Sequence, residues 1–268
     1  LLMASLVFFH AHPDDEAIST GGTMALSSDQ GHHVTLVVAT RGEMGEPVEG
    51  VLGEGELLGD RREAESRRSA EILGVHVVEF LGYRDSGMVD EPSNDDPTCF
   101  WQADLEEAAN RLAVILQRSD ADILIGYDPN GVYGHPDHVK VHLVGARAAV
   151  IAGVDRVLWA TANRTMIQQA IENGAFDEDG AHEAEPVDRS DFGMPEDELT
   201  HAIDVSAALD RKRASLMAHA SQIDESSFFL AMSEDLFTMA FGTEWLVDAA
   251  RYTASPQRQG DLATSLFD

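Results

Sequence analysis

Cysteine is nearly absent. Cys99 stands alone, which excludes an internal disulfide framework and a zinc site built on thiolates. No apolar run reaches the ~18 residues a membrane-spanning helix needs, so no membrane partner is expected. Lysine is confined to Lys140 and Lys212, and arginine supplies the other sixteen positive charges against 48 acidic residues, a formal charge of −30. Nucleic acids and anionic membranes require a basic face, so neither is an expected partner. The acidic balance reads either as a heavily hydrated surface suited to concentrated salt or as a bias in base composition. The first residues carry no basic region and pass straight into an apolar strand, so we read no secretory signal and expect a cytoplasmic protein.

What is present is ordinary in amount and ordered in pattern. The hydrophobic fraction is 44% of 268 residues, enough to bury a substantial core. Ser5 to Phe9 is an apolar run that reads as a buried strand, and Glu16 to Asp29 as a helix of small residues. His33 to Thr40 is a second strand, and Asp60 to Leu73 a charged helix stopped by Gly74. Val75 to Leu81 follows as a strand and Ala103 to Gln117 as an amphipathic helix. Ala121 to Tyr127, Pro136 to Ile151 and Arg156 to Ala160 continue the strand–helix–strand order. This alternation predicts a three-layer, Rossmann-like α/β fold with a mostly parallel sheet. Beyond Asn163 the pattern weakens. Asn173 to Glu198 reads as an acid-rich excursion, Leu199 to Val205 as a strand, Ala207 to His219 as a helix, and Thr243 to Ala249 as a last short element. We therefore expect a single domain, with a catalytic core over 1–162 and a smaller, less regular extension over 163–268 completing the fold.

Two clusters of polar residues interrupt this order, each where a strand ends. His10-Ala11-His12-Pro13-Asp14-Asp15-Glu16 follows the first strand and opens a helix. Asp128-Pro129-Asn130-Gly131-Val132-Tyr133-Gly134-His135-Pro136-Asp137-His138 follows the fourth, with Pro136 suited to a first helical position. Carboxylates suit a helix N-terminus and explain one acid in each cluster, but not the imidazoles. Adjacent strands of one parallel sheet would bring the two clusters together, at the edge where open α/β sheets place their chemistry. Two imidazoles and a carboxylate suit Zn²⁺ and leave a coordination position open, which is a catalytic rather than a structural arrangement. The count allows His12, Asp15 and His138 as metal ligands, Asp14 as general base, His135 as a second catalytic group and Asp137 as its orienting acid. Such a set performs metal-assisted amide hydrolysis. A carboxylate beside His135 would raise its pKa, so a cationic His135 is expected. A two-histidine, one-carboxylate set also describes non-haem iron oxygenases, but those sit on β-barrels, and the helix–strand alternation argues against them.

HAHPDDE followed at the fourth strand by GVYGHPDH resembles the PIG-L/LmbE-like family of zinc-dependent N-acetylglucosamine deacetylases. Within it, YDPNGVYGHPDH and RDSGM are most similar to the enzymes of mycothiol metabolism. The resemblance implies removal of the N-acetyl group from an N-acetylglucosaminyl conjugate such as N-acetylglucosaminyl-inositol. The alternative within the family is cleavage of mycothiol S-conjugates or of another acylated glucosaminyl metabolite, and a carbohydrate-binding relative is the non-enzyme alternative. It also implies Zn²⁺, or Fe²⁺ in cells, on His12, Asp15 and His138. The base falls on Asp14, the transition-state histidine and its acid on His135 and Asp137, and a mobile tyrosine on Tyr133. Arg62 and Asp85 match the positions that hold the sugar conjugate. The expected partner is thus a small amino-sugar conjugate, and a homo-oligomer is compatible with the sequence. Ser19-Thr20 stand where the S-conjugate branch carries lysine, which favours the deacetylase. Glu16 is expected to bond loop amides rather than a metal.

Overall fold

The computed structural model describes residues 3–173, 191–224, 226–258 and 260–268. Of the excursion expected at Asn173 to Glu198, residues 174–190 lie outside the described residues. Strand β1 (Ser5–His10) is buried at every position and lies third in a seven-stranded sheet. Its odd and even side chains enter different cores, as a strand covered on both faces requires. Val7 and Phe9 pack with α4 (Leu105–Arg118) and α5 (Pro136–Ala152). Leu6 and Phe8 pack with α2 (Gly21–Asp29) and α3 (Leu58–Leu73).

Strands β2 (His33–Thr40), β3 (Val77–Tyr83), β4 (Ile123–Tyr127) and β5 (Arg156–Thr161) are parallel to β1, in the order β3-β2-β1-β4-β5. The expected three-layer α/β architecture is therefore present. Phe8 pairs with Leu36 of β2 on one side and Ile125 of β4 on the other. The chain leaves β1 toward β2 and returns to β4 on the opposite flank, so the β1/β4 boundary is the topological switch point.

The structure corrects two readings. The helix expected over Glu16–Asp29 is two helices, α1 (Asp15–Ser19) and α2, broken at Thr20, where φ is −138°. The break lets Thr20 Oγ1 bond His10 Nε2 at 2.9 Å and brings α2 onto the C-terminal part of the chain. A Cβ on Gly22 would lie 2.4 Å from that of Val205, so only glycine permits this approach. The C-terminal stretch also does more than add an irregular lobe. Strands β6 (His201–Asp204) and β7 (Thr243–Asp248) extend the same sheet antiparallel, with β7 inserted between β5 and β6. Helix α6 (Arg164–Glu172) precedes them, and α7 (Leu209–Ala218), α8 (Phe228–Ala231) and α9 (Glu234–Phe241) lie between them. Helix α10 (Ala249–Ala254) follows β7. Sequence periodicity indicated only α7 among these five.

Helix α7 packs against α1, just after the first polar cluster. Leu216 packs with Ala17, Ile223, Met232, Leu236 and Phe237. Beside it, buried Lys212 pairs with Glu244 at 2.5 Å, while the two Glu244 oxygens accept the Gly22 and Thr23 N–H groups, each at 2.8 Å. An anion at that helix N-terminus satisfies donors the helix itself leaves open, and Lys212 balances its charge. Among the described residues no helix is long and apolar enough to cross a membrane.

Candidate active site

Both polar clusters emerge at the β1/β4 switch point, as adjacent strand ends demand. His12, Asp15, His135, Asp137 and His138 are all buried. Asp15 Oδ2 lies 3.5 Å from His12 Nδ1 and 3.4 Å from His138 Nε2, and accepts the His12 backbone N–H at 2.8 Å. The ring of His135 stands 4.6 Å from that of His12 and 5.2 Å from that of His138. Nitrogens of the three histidines lie within 4.8 Å of one another, as do ligand atoms of His12, Asp85 and Asp137. Imidazoles and carboxylates converging in a buried pocket, with His138 Nδ1 lacking any hydrogen-bond partner, are donors suited to a divalent ion.

The charges are mutually dependent. Burial works against a protonated His12, but Asp137, Asp15 and Asp85 around it hold its pKa well above the ordinary value. Against its own burial, His138 and His12 keep Asp15 well below the usual carboxylate range. Burial pushes His138 down to about 3. Asp14 moves the other way: burial lifts it to about 6, against the pull of Arg62.

Asp137 does not do what the sequence suggested. Its Oδ2 faces His12 Nε2 at 3.1 Å and accepts the Ser86 N–H at 3.0 Å, and its Oδ1 accepts the Ser86 hydroxyl. Its carboxylate thus holds His12, not His135. What reaches His135 is the Asp137 backbone, whose N–H donates to His135 Nδ1 at 3.1 Å as α5 begins. Burial and the neighbouring His12 then push the His135 pKa down to about 4, so the expected cationic imidazole is instead neutral. With Nδ1 accepting, the neutral ring carries its proton on Nε2.

Tyr133 is 39% exposed, the most open of these residues, with its hydroxyl 3.4 Å from His138 Nε2. Below it Tyr127, which bonds His10 at 2.7 Å, stacks on the His138 ring at 4.6 Å. Arg62 and Asp85 are buried beside the His12–Asp15 loop. Arg62 donates to Gly42 O at 2.8 Å, Pro13 O at 2.6 Å and Asp14 Oδ2 at 3.2 Å, while its Nε keeps no partner. Gly42 has φ +65°, and a Cβ there would sit 2.3 Å from Arg62 Nη1, so glycine makes room for the guanidinium. Asp85 accepts the Gly87 N–H at 2.9 Å and the Met44 N–H at 3.2 Å, and lies 3.5 Å from His12 Nε2. Glu16 bonds the Asp14 N–H at 3.0 Å, as expected, and also His219 at 2.6 Å. Sequence reasoning missed Ser86, Tyr127 and His219. The polar run after β3 signals Ser86, but nothing local to His219 marks it.

A buried His/Asp centre at the switch point of a parallel α/β sheet defines a class of protein: one able to hold a divalent ion and use it on a substrate. Residues 7–149 match the PIG-L family, described as GlcNAc-PI de-N-acetylase, and the chain belongs to that family. The 1D-myo-inositol 2-acetamido-2-deoxy-alpha-D-glucopyranoside deacetylase of Acidothermus cellulolyticus is 41% identical, over 97% of this chain and 94% of its own length. The protein of that name from Thermomonospora curvata is 40% identical, over 92% and 91%. The antimicrobial reagent A40926 pseudoaglycone deacetylase shares the fold, with a TM-score of 0.60 at 15% identity over 91% of this chain and 96% of that one.

Proposed function

We propose that this enzyme removes the N-acetyl group from an N-acetylglucosaminyl conjugate, with N-acetylglucosaminyl-inositol as the favoured substrate. The observation that carries this reading is the convergence of both His/Asp clusters at the β1/β4 switch point, in a chain of the PIG-L family. His12, Asp15 and His138 would hold the metal, which we take to be Zn²⁺, with Fe²⁺ the alternative in cells. When bound, the ion supplies Lewis-acid polarisation and makes water more acidic.

The remaining chemistry belongs to side chains. Asp14, with its pKa at about 6, is ionised at neutral pH yet basic enough to take a proton from the attacking water. His135 donates its Nε2–H to the developing oxyanion of the acetamido carbonyl, and the Tyr133 hydroxyl closes on the same oxygen. As the C–N bond breaks, Asp14 returns its proton to the leaving amine, giving acetate and the free amino sugar. Arg62 and Asp85 are the proposed substrate-binding pair, Arg62 retaining one unpaired donor at Nε. We take the setting to be cytoplasmic, since a lone cysteine suits a reducing compartment.

The test is release of acetate or free amine from N-acetylglucosaminyl-inositol, N-acetylglucosamine and a mycothiol S-conjugate, with metal content measured in parallel. The inositol conjugate is expected to turn over fastest, and preference for the S-conjugate would favour the amidase. Asp14→Asn should keep the metal and lose ~10²-fold or more in turnover. Near-normal turnover in that variant would make Asp14 a structural acid.

A further inference from the structure

Asp14 has φ 100°, a left-handed backbone conformation that a residue with a side chain adopts only when its surroundings impose it. The Asp14 N–H is held by Glu16. Its fully buried carboxylate bonds three partners. Oε2 accepts the Asp14 N–H at 3.0 Å, and Oε1 accepts the Ser69 hydroxyl at 2.7 Å and His219 Nε2–H at 2.6 Å. His219 lies beyond α7, outside the segment 7–149 that matches the family. The turn bearing it is clasped to the catalytic side of the fold. The Ser221 N–H and hydroxyl donate to Glu65 of α3 at 3.0 and 2.6 Å, and Ser221 O accepts the Val48 N–H at 2.8 Å. Arg62 grips the other end of the loop, at Pro13 O and the Asp14 carboxylate.

We infer that His219 is a positioning residue for the deacetylation: through Glu16 it holds Asp14 in its left-handed backbone and so aims the Asp14 carboxylate. The inference rests on the reading of Asp14 as the base. His219 touches neither the donors proposed for the metal nor the reacting atoms. Its bond to a buried carboxylate is charge-assisted and has no water to replace it. Without it, Glu16 Oε1 keeps only the Ser69 hydroxyl, the Asp14 N–H loses a rigidly held acceptor, and φ relaxes toward the ordinary region. A rotation there swings the carboxylate, and a ~1 Å misplacement can cost ~10²-fold in rate. A purely structural His219 would instead only pin α7 to α1, and its loss would lower stability without changing turnover per folded molecule.

The test compares His219→Ala, His219→Asn and His219→Gln in metal-loaded full-length protein, acting on an N-acetylglucosaminyl substrate. Turnover, KM, metal per chain and the thermal midpoint are measured for each. His219→Ala should lower kcat between ~10-fold and ~10²-fold, with KM within ~2-fold of the parent and metal content unchanged. His219→Gln, whose amide N–H reaches Glu16, should restore most of kcat. His219→Asn, one methylene short, should not, and it stands in should the alanine variant fail to fold. In an Asp14→Asn background, His219→Ala should cost nothing further, because a misaimed base that is already lost has no effect. Unchanged kcat in the alanine or asparagine variant, or a loss explained wholly by missing metal or raised KM, overturns the inference. An active Asp14→Asn enzyme would instead overturn the base assignment itself, so the two failures are distinguishable.

Discussion

At His12 the two ring nitrogens face different carboxylates. Nδ1 lies 3.5 Å from Asp15, and Nε2 lies 3.1 Å from Asp137, which Ser86 holds in place with both its amide and its hydroxyl. A carboxylate on one nitrogen fixes the tautomer and ring orientation and strengthens the other nitrogen as a ligand. Asp137→Asn should therefore lower metal affinity ~10- to 100-fold, read by competition against a chelator. Ser86→Ala should move it in the same direction by less. If Asp137 served His135 instead, Asp137→Asn would leave affinity intact and reduce only turnover. The donor residues themselves were legible, because His12, Asp14 and Asp15 sit in one heptapeptide and Tyr133, His135, Asp137 and His138 in another. Their pairing was not. Ser86 lies 51 residues from Asp137 and His219 lies 203 from Glu16, and a local motif carries no record of which side chain meets which across such distances. The same gap produced the wrong charge for His135, since adjacency in sequence suggested a side-chain partner where the structure supplies a backbone amide.

The elements divide by how local their determinants are. Strands β1 to β5 and helices α3, α4, α5 and α7 follow from periodicity and glycine or proline stops, and their boundaries fall within about two residues of those expected. The close packing of α2 on Val205 and the insertion of β7 between β5 and β6 both rest on partners far along the chain, so neither is written in a local window. That added sheet edge has a titration consequence. His201 in β6 is buried, with Nδ1 on Thr200 Oγ1 at 2.7 Å and Nε2 3.5 Å from an Arg156 nitrogen. Burial, then Arg156 and Arg251, hold its pKa down to about 4. In the unfolded chain the imidazole titrates at about 6.5, so between these values the unfolded state carries a proton that the folded state lacks. Stability from this group is intact above the unfolded value and is lost as pH falls through that window. His201→Gln should flatten the slope of unfolding free energy against pH between ~4 and ~6.5 by up to about one proton, measured by urea titration at several pH values. An unchanged slope would mean that His201 titrates alike in both states.

Across the whole molecule, 48 acidic residues face 18 basic ones, and among the described residues most of the acids are not buried. Both lysines are internal. Lys212 pairs with Glu244, and Lys140 donates to the carbonyls of Trp101 and Ala103 at 3.1 and 2.5 Å. No lysine therefore offsets the acidic exterior, and that task falls to arginines in exposed pairs such as Arg67–Glu63 and Arg147–Glu106. Two salt effects then compete. Screening weakens the exposed pairs, each worth at most ~1 kcal/mol. It also relieves repulsion among the excess acids, which destabilises the compact state because folding brings those charges together. With a net charge of −30, repulsion is the larger effect, so added salt should raise stability. The Debye length falls from about 10 Å at 0.1 M to about 3 Å at 1 M, and the thermal midpoint should climb through this range in sodium chloride. Screening depends on ionic strength, whereas sulfate also acts by exclusion from the protein surface. A matched sucrose series separates the two: the rise should be steep in chloride and shallow in sucrose. A flat or falling midpoint in chloride would show that arginine pairing already neutralises the surface repulsion.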